Sequence, residues 1–254
     1  MNTLSTLLPL AISAAESAAR EILDVYNSGD FKAEVKGDNS PLTLADKRAH
    51  HVIEQALKQT GLPLLSEEGR NIPYEDRKHW NLFWMVDPLD GTKEFLKRNG
   101  EFTVNIALIE NGIPVLGVVG IPITNEIFYA CNGDGAWKKG SDGVKRLSKP
   151  STRDSRQRDV RVVASRSHMN EETEKFITTL TNPVLVSKGS SLKFLLLAEG
   201  EADIYPRFAP TMEWDTAAAH AIVKEAGLHV YQAGTTSELT YNKVDLVNPY
   251  FIVH

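Results

Sequence analysis

One short stretch constrains this chain more than any other. Trp80 to Val86 is strongly apolar and breaks off at Asp87-Pro88-Leu89-Asp90-Gly91-Thr92. A run of that character belongs inside a protein, as a buried strand. It therefore delivers two carboxylates, three residues apart, to the end of a core element. Pro88 fixes the backbone between them, and Gly91 permits a tight turn. Both side chains and an intervening carbonyl can then face one point. Carboxylate and carbonyl oxygens together suit a hard cation, Mg²⁺ or Mn²⁺. Thr92 sets a hydroxyl beside the same point. Asp-Pro and Asp-Gly are also ordinary turn formers, so these residues alone leave a plain surface turn open.

Two further acidic stations bear on that choice. Pro63-Leu64-Leu65-Ser66 reads as a short strand ending on Glu67-Glu68-Gly69. Adjacent acids repel unless something positive lies near them. Glu213-Trp214-Asp215 runs into an Ala-rich helix expected over Thr216–Ala226. Asp215 is placed as its N-cap, a contribution of about 1 kcal/mol. A helix N-terminus is also an end where phosphate can bind.

The rest of the chain sets these stations in two unlike halves. Residues about 3–28 read as a helix, 31–44 as strand-like with a turn at Gly37-Asp38-Asn39, and 46–61 as a second helix. Strands follow over 102–110, 113–121 and 126–131, with turn signals at Asn111-Gly112 and Pro122. This is an antiparallel meander. Beyond it, strands at 160–164, 184–187, 202–205 and 229–232 alternate with helices at 171–180, 192–199 and 216–226. That alternation predicts a βαβ-like lobe. The fold class is α+β. Residues 1–150 are expected to form a metal-binding first lobe and 151–254 a substrate-binding second lobe, joined as one catalytic unit.

Composition limits the partners. The chain has 254 residues, 42% of them hydrophobic, enough for a substantial core. Its net charge of -5 comes without a basic stripe, so long nucleic acid is not an expected partner. The one cysteine, Cys131, allows no intrachain disulfide and fits a reducing compartment. Leu7 to Ala15 is apolar, but no Lys or Arg precedes it, as a signal peptide requires. Leu4, Leu7, Leu8, Ala11, Ala14 and Ala15 instead recur at helical spacing. No transmembrane segment is expected. The expected location is the cytoplasm, with peripheral contact of the first helix with the inner membrane left open.

In order and spacing, Glu67-Glu68, Asp87-Pro88-Leu89-Asp90-Gly91-Thr92 and Trp214-Asp215 resemble the signature of the inositol monophosphatase superfamily of metal-dependent phosphatases. The resemblance covers nearly the whole chain. It implies a sugar-phosphatase fold, a layered α/β/α/β/α sandwich. It makes Glu67, Asp87 and the backbone oxygen of Leu89 ligands of one ion, and Asp87, Asp90 and Asp215 ligands of a second. Mg²⁺ is the implied cofactor, two or three ions per site, with Mn²⁺ as a substitute. Glu67, Thr92 and Asp46 are implied to orient or deprotonate the attacking water. Asp46 lies in Pro41-Leu42-Thr43-Leu44-Ala45-Asp46, which matches a family segment; on its own it reads as a first-turn acid of a helix.

The residues flanking the motif point further. Lys93 to Ile109 looks like the bacterial 3'(2'),5'-bisphosphate nucleotidase branch. So do Ser165-Arg166-Ser167-His168, Lys188 to Phe194 and Tyr205-Pro206-Arg207. The implied substrate is 3'-phosphoadenosine 5'-phosphate, cleaved to AMP and phosphate in support of sulfate assimilation. The implied substrate-binding set is Glu67, Leu89, Asp90, Gly91, Thr92, Ser165, His168, Gly189, Ser190, Lys193, Arg207 and Asp215. Arg166, His168, Lys193 and Arg207 could hold the phosphate that is not cleaved. Lithium sensitivity belongs to the same resemblance. The alternatives are an inositol or other sugar monophosphatase and a catalytically silent nucleotide-binding regulator. Monomer and homodimer both stay open.

Overall fold

A computed structural model describes residues 3–35, 41–69, 72–148, 159–164 and 169–254. In chain order the elements are α1 (Leu4–Ser28), β1 (Glu34–Val35), β2 (Pro41–Leu42), α2 (Leu44–Lys58), β3 (Leu64–Ser66), α3 (Tyr74–Arg77) and β4 (Leu82–Asp90). Then come α4 (Thr92–Leu96), β5 (Thr103–Glu110), β6 (Ile113–Ile121), β7 (Glu126–Cys131), β8 (Gly135–Gly140) and β9 (Gly143–Leu147). The remainder is β10 (Val160–Ala164), α5 (Glu171–Thr178), β11 (Pro183–Ser187), α6 (Leu192–Ala198), β12 (Tyr205–Arg207), α7 (Glu213–Glu225), β13 (Val230–Gln232) and β14 (Phe251–Val253).

The centre is a seven-stranded sheet in the order β3-β4-β5-β6-β7-β8-β9. Only β3 runs parallel to its neighbour; the rest form the antiparallel meander. Strand alternation sends side chains to two cores. Trp84 and Val86 join α1 and α2 on one face. Phe83 and Met85 join α6 and α7 on the other. Beyond α6 and α7 lies a small antiparallel sheet, β12-β14-β13, with α5 against β12. The layers thus read α/β/α/β/α, and the chain is α+β. β10 and β11 pair in parallel around α5, the βαβ unit expected of the second half.

Several expected boundaries move. β4 does not stop at Asp87-Pro88. A bulge between Asp87 and Asp90 absorbs the proline, and pairing resumes at Asp90 opposite Thr103. The helix expected over 216–226 starts at Glu213. Its N-cap is Met212, and Asp215 is not the cap but the third residue of the first turn. The helix expected over 46–61 begins at Leu44, where a Thr43–Asp46 capping box fixes its start. The strand expected over 202–205 lies at Tyr205–Arg207. The hairpin β8–β9 and the strand β14 are additions. The turn at Gly37-Asp38-Asn39 and the junction at residues 150/151 lie outside the described residues.

Among the described residues, no helix is long and apolar enough to cross a membrane. The apolar face of α1 is also occupied. Leu7, Ala11, Ala14 and Ala15 are buried in the core, with Leu4 and Leu8 packed against its edge. That face is therefore not free to lie on a bilayer, which removes the ground for peripheral contact.

Candidate active site

The acidic stations meet at one end of the central sheet. β3 and β4 run parallel, so Glu67 and Asp87 each directly follow one of the paired residues Ser66 and Val86. His50 Nδ1 lies 3.0 Å from Ser66 Oγ and ties α2 to that corner. Gly91 turns the chain with φ +93, and a Cβ there would sit 2.9 Å from the Glu101 carbonyl oxygen. The turn aims Thr92 back at the strand: its Oγ1 lies 3.2 Å from Leu89 O and 3.3 Å from Asp46 Oδ1. The other Asp46 oxygen, Oδ2, accepts from Thr43 N at 2.7 Å and Thr43 Oγ1 at 2.6 Å.

Asp87, Asp90 and Asp215 are tied back by the backbone and by neighbouring hydroxyls. Asp87 Oδ1 accepts from Leu89 N at 3.1 Å. Asp215 Oδ2 accepts from Met212 N at 2.9 Å. Asp90 takes its bonds on Oδ2: from Ser190 Oγ at 2.7 Å, Ser191 N at 2.8 Å, Ser191 Oγ at 3.0 Å and Asn105 Nδ2 at 3.4 Å. Oδ1 of Asp90 and Oδ1 of Asp215 accept no hydrogen bond among the described residues.

The electrostatics call for a counter-charge. Asp87 is 1% exposed. Burial, then the charges of Glu67, Asp90 and Asp215, push its carboxyl well above the usual carboxylate range. Burial, then Asp90, raises Asp215 in the same way. A bound cation reverses that balance. As the side chains stand, no three His, Cys, Asp or Glu among the described residues are grouped so as to hold an ion. The donor chemistry nonetheless fits a hard divalent ion: carboxylates, one carbonyl and one hydroxyl, with unbonded oxygens on Asp90 and Asp215.

Two clefts share this corner. The first is acid-walled, lined by Glu67, Asp87, Leu89, Thr92 and Lys93 among others. The second is lined by Gly189, Ser190, Lys193, Tyr205, Arg207 and Thr216 among others. Asp90, Gly91, Glu94 and Asp215 line both. Lys193 is buried, donates to Ser190 O at 2.6 Å and lies over the Tyr205 ring. Burial lowers its amine to about 8. Arg207 donates to Ala209 O at 3.1 Å and Pro210 O at 3.0 Å.

The structure thus brings together Asp46, Glu67, Asp87, Leu89, Asp90, Gly91, Thr92, Gly189, Ser190, Lys193, Arg207 and Asp215. Arg98 turns away, donating to Tyr26 O and stacking on the Tyr26 ring. Ser165, Arg166 and His168 lie outside the described residues. Sequence reasoning passes over Thr103, Asn105 and Thr216. The signal for the first two was present: polar residues two apart, on one face of an otherwise apolar strand.

Residues 3–252 match the model of the Inositol monophosphatase family. The chain is similar to the 3'(2'),5'-bisphosphate nucleotidase CysQ of Salmonella typhimurium, at 46% identity over 251 residues, 97% of this chain and 99% of that one. Against the protein of the same name from Escherichia coli (strain K12), identity is 47% over 229 residues, 89% of this chain and 90% of that one. Among solved structures, CysQ from Bacteroides thetaiotaomicron superposes with a TM-score of 0.88 at 48% identity, covering 98% of this chain and 96% of that one.

Proposed function

The chain belongs to the inositol monophosphatase family, and from that premise we propose that it is a Mg²⁺-dependent 3'(2'),5'-bisphosphate nucleotidase. Its substrate would be 3'-phosphoadenosine 5'-phosphate, hydrolysed to AMP and phosphate. One observation carries the reading. The acid-walled cleft, where an ester is cut, opens through Asp90 and Asp215 into a second cleft carrying Lys193 and Arg207. A single-phosphate ester offers those two cations no anion; a bisphosphate does.

Glu67, Asp87 and Leu89 O are the ligands assigned to one ion, and Asp87, Asp90 and Asp215 those assigned to the other. Bound divalent ions supply Lewis acidity and offset the charge that builds on the phosphoryl group. Thr92 orients the attacking water. Its hydroxyl reaches both Leu89 O and Asp46 Oδ1, so a proton released there has Asp46 as its acceptor. Thr43 holds Asp46 in place for that task. Gly189 and Ser190 face the sugar, and Lys193 and Arg207 take the phosphate that stays. Clearance of this by-product of sulfate activation, in the cytoplasm, is the role we assign.

The test is the identity of the products. The chain, incubated with Mg²⁺ and 3'-phosphoadenosine 5'-phosphate, is followed by ³¹P NMR. AMP and inorganic phosphate in equal amounts are expected. Release of the 5'-phosphate, or no release, contradicts the assignment.

A further inference from the structure

β5 carries a contradiction in its own sequence. It is an interior strand of the sheet, and seven of its eight residues are buried. Among Val104, Ile106, Ala107, Leu108 and Ile109 stand two polar residues, Thr103 and Asn105, at 0% and 1% exposure. A buried amide or hydroxyl is costly unless it is fully bonded. Residues two apart on a strand point to one face. That face is fixed by register: Thr103 is opposite Asp90, and Asn105 is opposite Asp87, across the bulge of β4. Both polar groups therefore lie directly behind two of the assigned metal ligands.

Their bonds converge on one carboxylate oxygen. Asn105 Nδ2 donates to Ser191 Oγ at 3.0 Å and reaches Asp90 Oδ2 at 3.4 Å. Thr103 Oγ1 lies 2.6 Å from Ser190 Oγ and 3.1 Å from Asn105 Oδ1. Ser190 Oγ, Ser191 N and Ser191 Oγ complete the set around Asp90 Oδ2. With one proton per hydroxyl, the order Thr103 to Ser190 to Asp90, with Asn105 to Ser191, forms in place of the Thr103–Asn105 bond. Ser191 Oγ also lies 3.0 Å from the backbone carbonyl of Asp215, so its proton can go to Asp90 Oδ2 or to that carbonyl. Ser190 is held at φ +51, a left-handed conformation uncommon for serine. Lys193 Nζ anchors the same residue by its carbonyl.

We propose that Thr103 and Asn105 are positioning residues for the metal site. They brace the Ser190-Ser191 turn against the sheet. The braced turn holds Asp90 Oδ2, which leaves Oδ1 facing the cleft. Neither touches substrate or ion. This inference rests on the metal-ligand reading of Asp90 given above, and it adds that the substrate-facing loop and the metal ligand are set by one buried network.

The experiment measures Mn²⁺ binding by electron paramagnetic resonance, without substrate, beside thermal melting without metal. Asn105→Ala and Thr103→Val are each expected to weaken Mn²⁺ binding roughly tenfold or more, the usual cost of losing a group that orients a ligand. Thr103→Ser keeps the hydroxyl and is expected to bind as the wild type does. A purely structural role would lower the melting midpoint and leave Mn²⁺ affinity unchanged. Should Asn105→Ala fail to fold, the Thr103→Val and Thr103→Ser pair decides alone. Asp90→Asn is the control. If it weakens Mn²⁺ binding while Thr103→Val does not, the brace is overturned and the metal reading stands. If Asp90→Asn leaves binding unchanged, the metal reading itself falls.

Discussion

Lys193 is the residue whose setting says most about ligand chemistry. An amine is seldom buried without a partner ion, because desolvation opposes its charge. Here burial lowers it to about 8, Asp90 pulling the other way and Arg207 adding to the fall. The amine is charged below about 8 and neutral above. A second phosphate bound there would lose a charged partner as pH rises. KM for 3'-phosphoadenosine 5'-phosphate is therefore expected to climb once pH passes about 8. An ester with one phosphate should show no such climb, and Lys193→Met should remove it. Steady-state kinetics across pH 7–9.5, a window of about 2.5 units around that value, checks this. Equal pH profiles for the two esters would separate Lys193 from phosphate recognition.

At the scale of elements, the site depends on how closely α7 lies on the sheet. α7 brings Asp215, and its contact point on β6 is Gly117. A Cβ on Gly117 would fall 2.1 Å from the Ala218 carbonyl oxygen and 2.9 Å from the Ala221 Cβ. No flexible side-chain end is available there to yield. Gly117→Ala is expected to destabilise the fold by about 3 kcal/mol, at the upper end of overpacking costs, and to lower turnover by shifting Asp215. Urea unfolding beside activity measures both; an unchanged midpoint would mean that the helix rides free of the sheet.

Much of this architecture was legible beforehand, for local reasons. Apolar runs bounded by Asn111-Gly112 and Pro122 mark β5, β6 and β7. The acids at the ends of β3 and β4 carry the site. What escaped was set by tertiary contacts. Pro88 reads as a strand breaker, yet the bulge lets β4 continue to Asp90. Asp215 reads as a cap because a polar residue precedes alanines; Glu213 and Trp214 are buried by packing, which draws the helix back to Glu213. β14 pairs with both β12 and β13, partners distant in sequence, and nothing in Phe251-Ile252-Val253 alone announces them. Thr103 and Asn105 look like ordinary polar residues until the register sets them behind the acids.

Across the whole molecule, the proposed active site draws residues from both halves of the chain. Asp87 and Asp90 come from β4 of the meander, and Glu67 from the end of β3 beside it. Asp215 comes from a helix of the second half that packs on the meander's sheet. Lys193 and Arg207 stand on α6 and β12, on the far side of the shared acids. Cutting and recognition are thus assigned to adjoining clefts that hold Asp90 and Asp215 in common. The ions should be needed for the cut whatever the ester, while the choice of ester should depend on the second cleft. The most direct measurement of this is kcat/KM for 3'-phosphoadenosine 5'-phosphate and for inositol 1-phosphate, each with Mg²⁺ and with chelator. The account predicts a large preference for the nucleotide, and loss of both activities on chelation. A wide margin in favour of the inositol ester, or turnover that survives chelation, would contradict it.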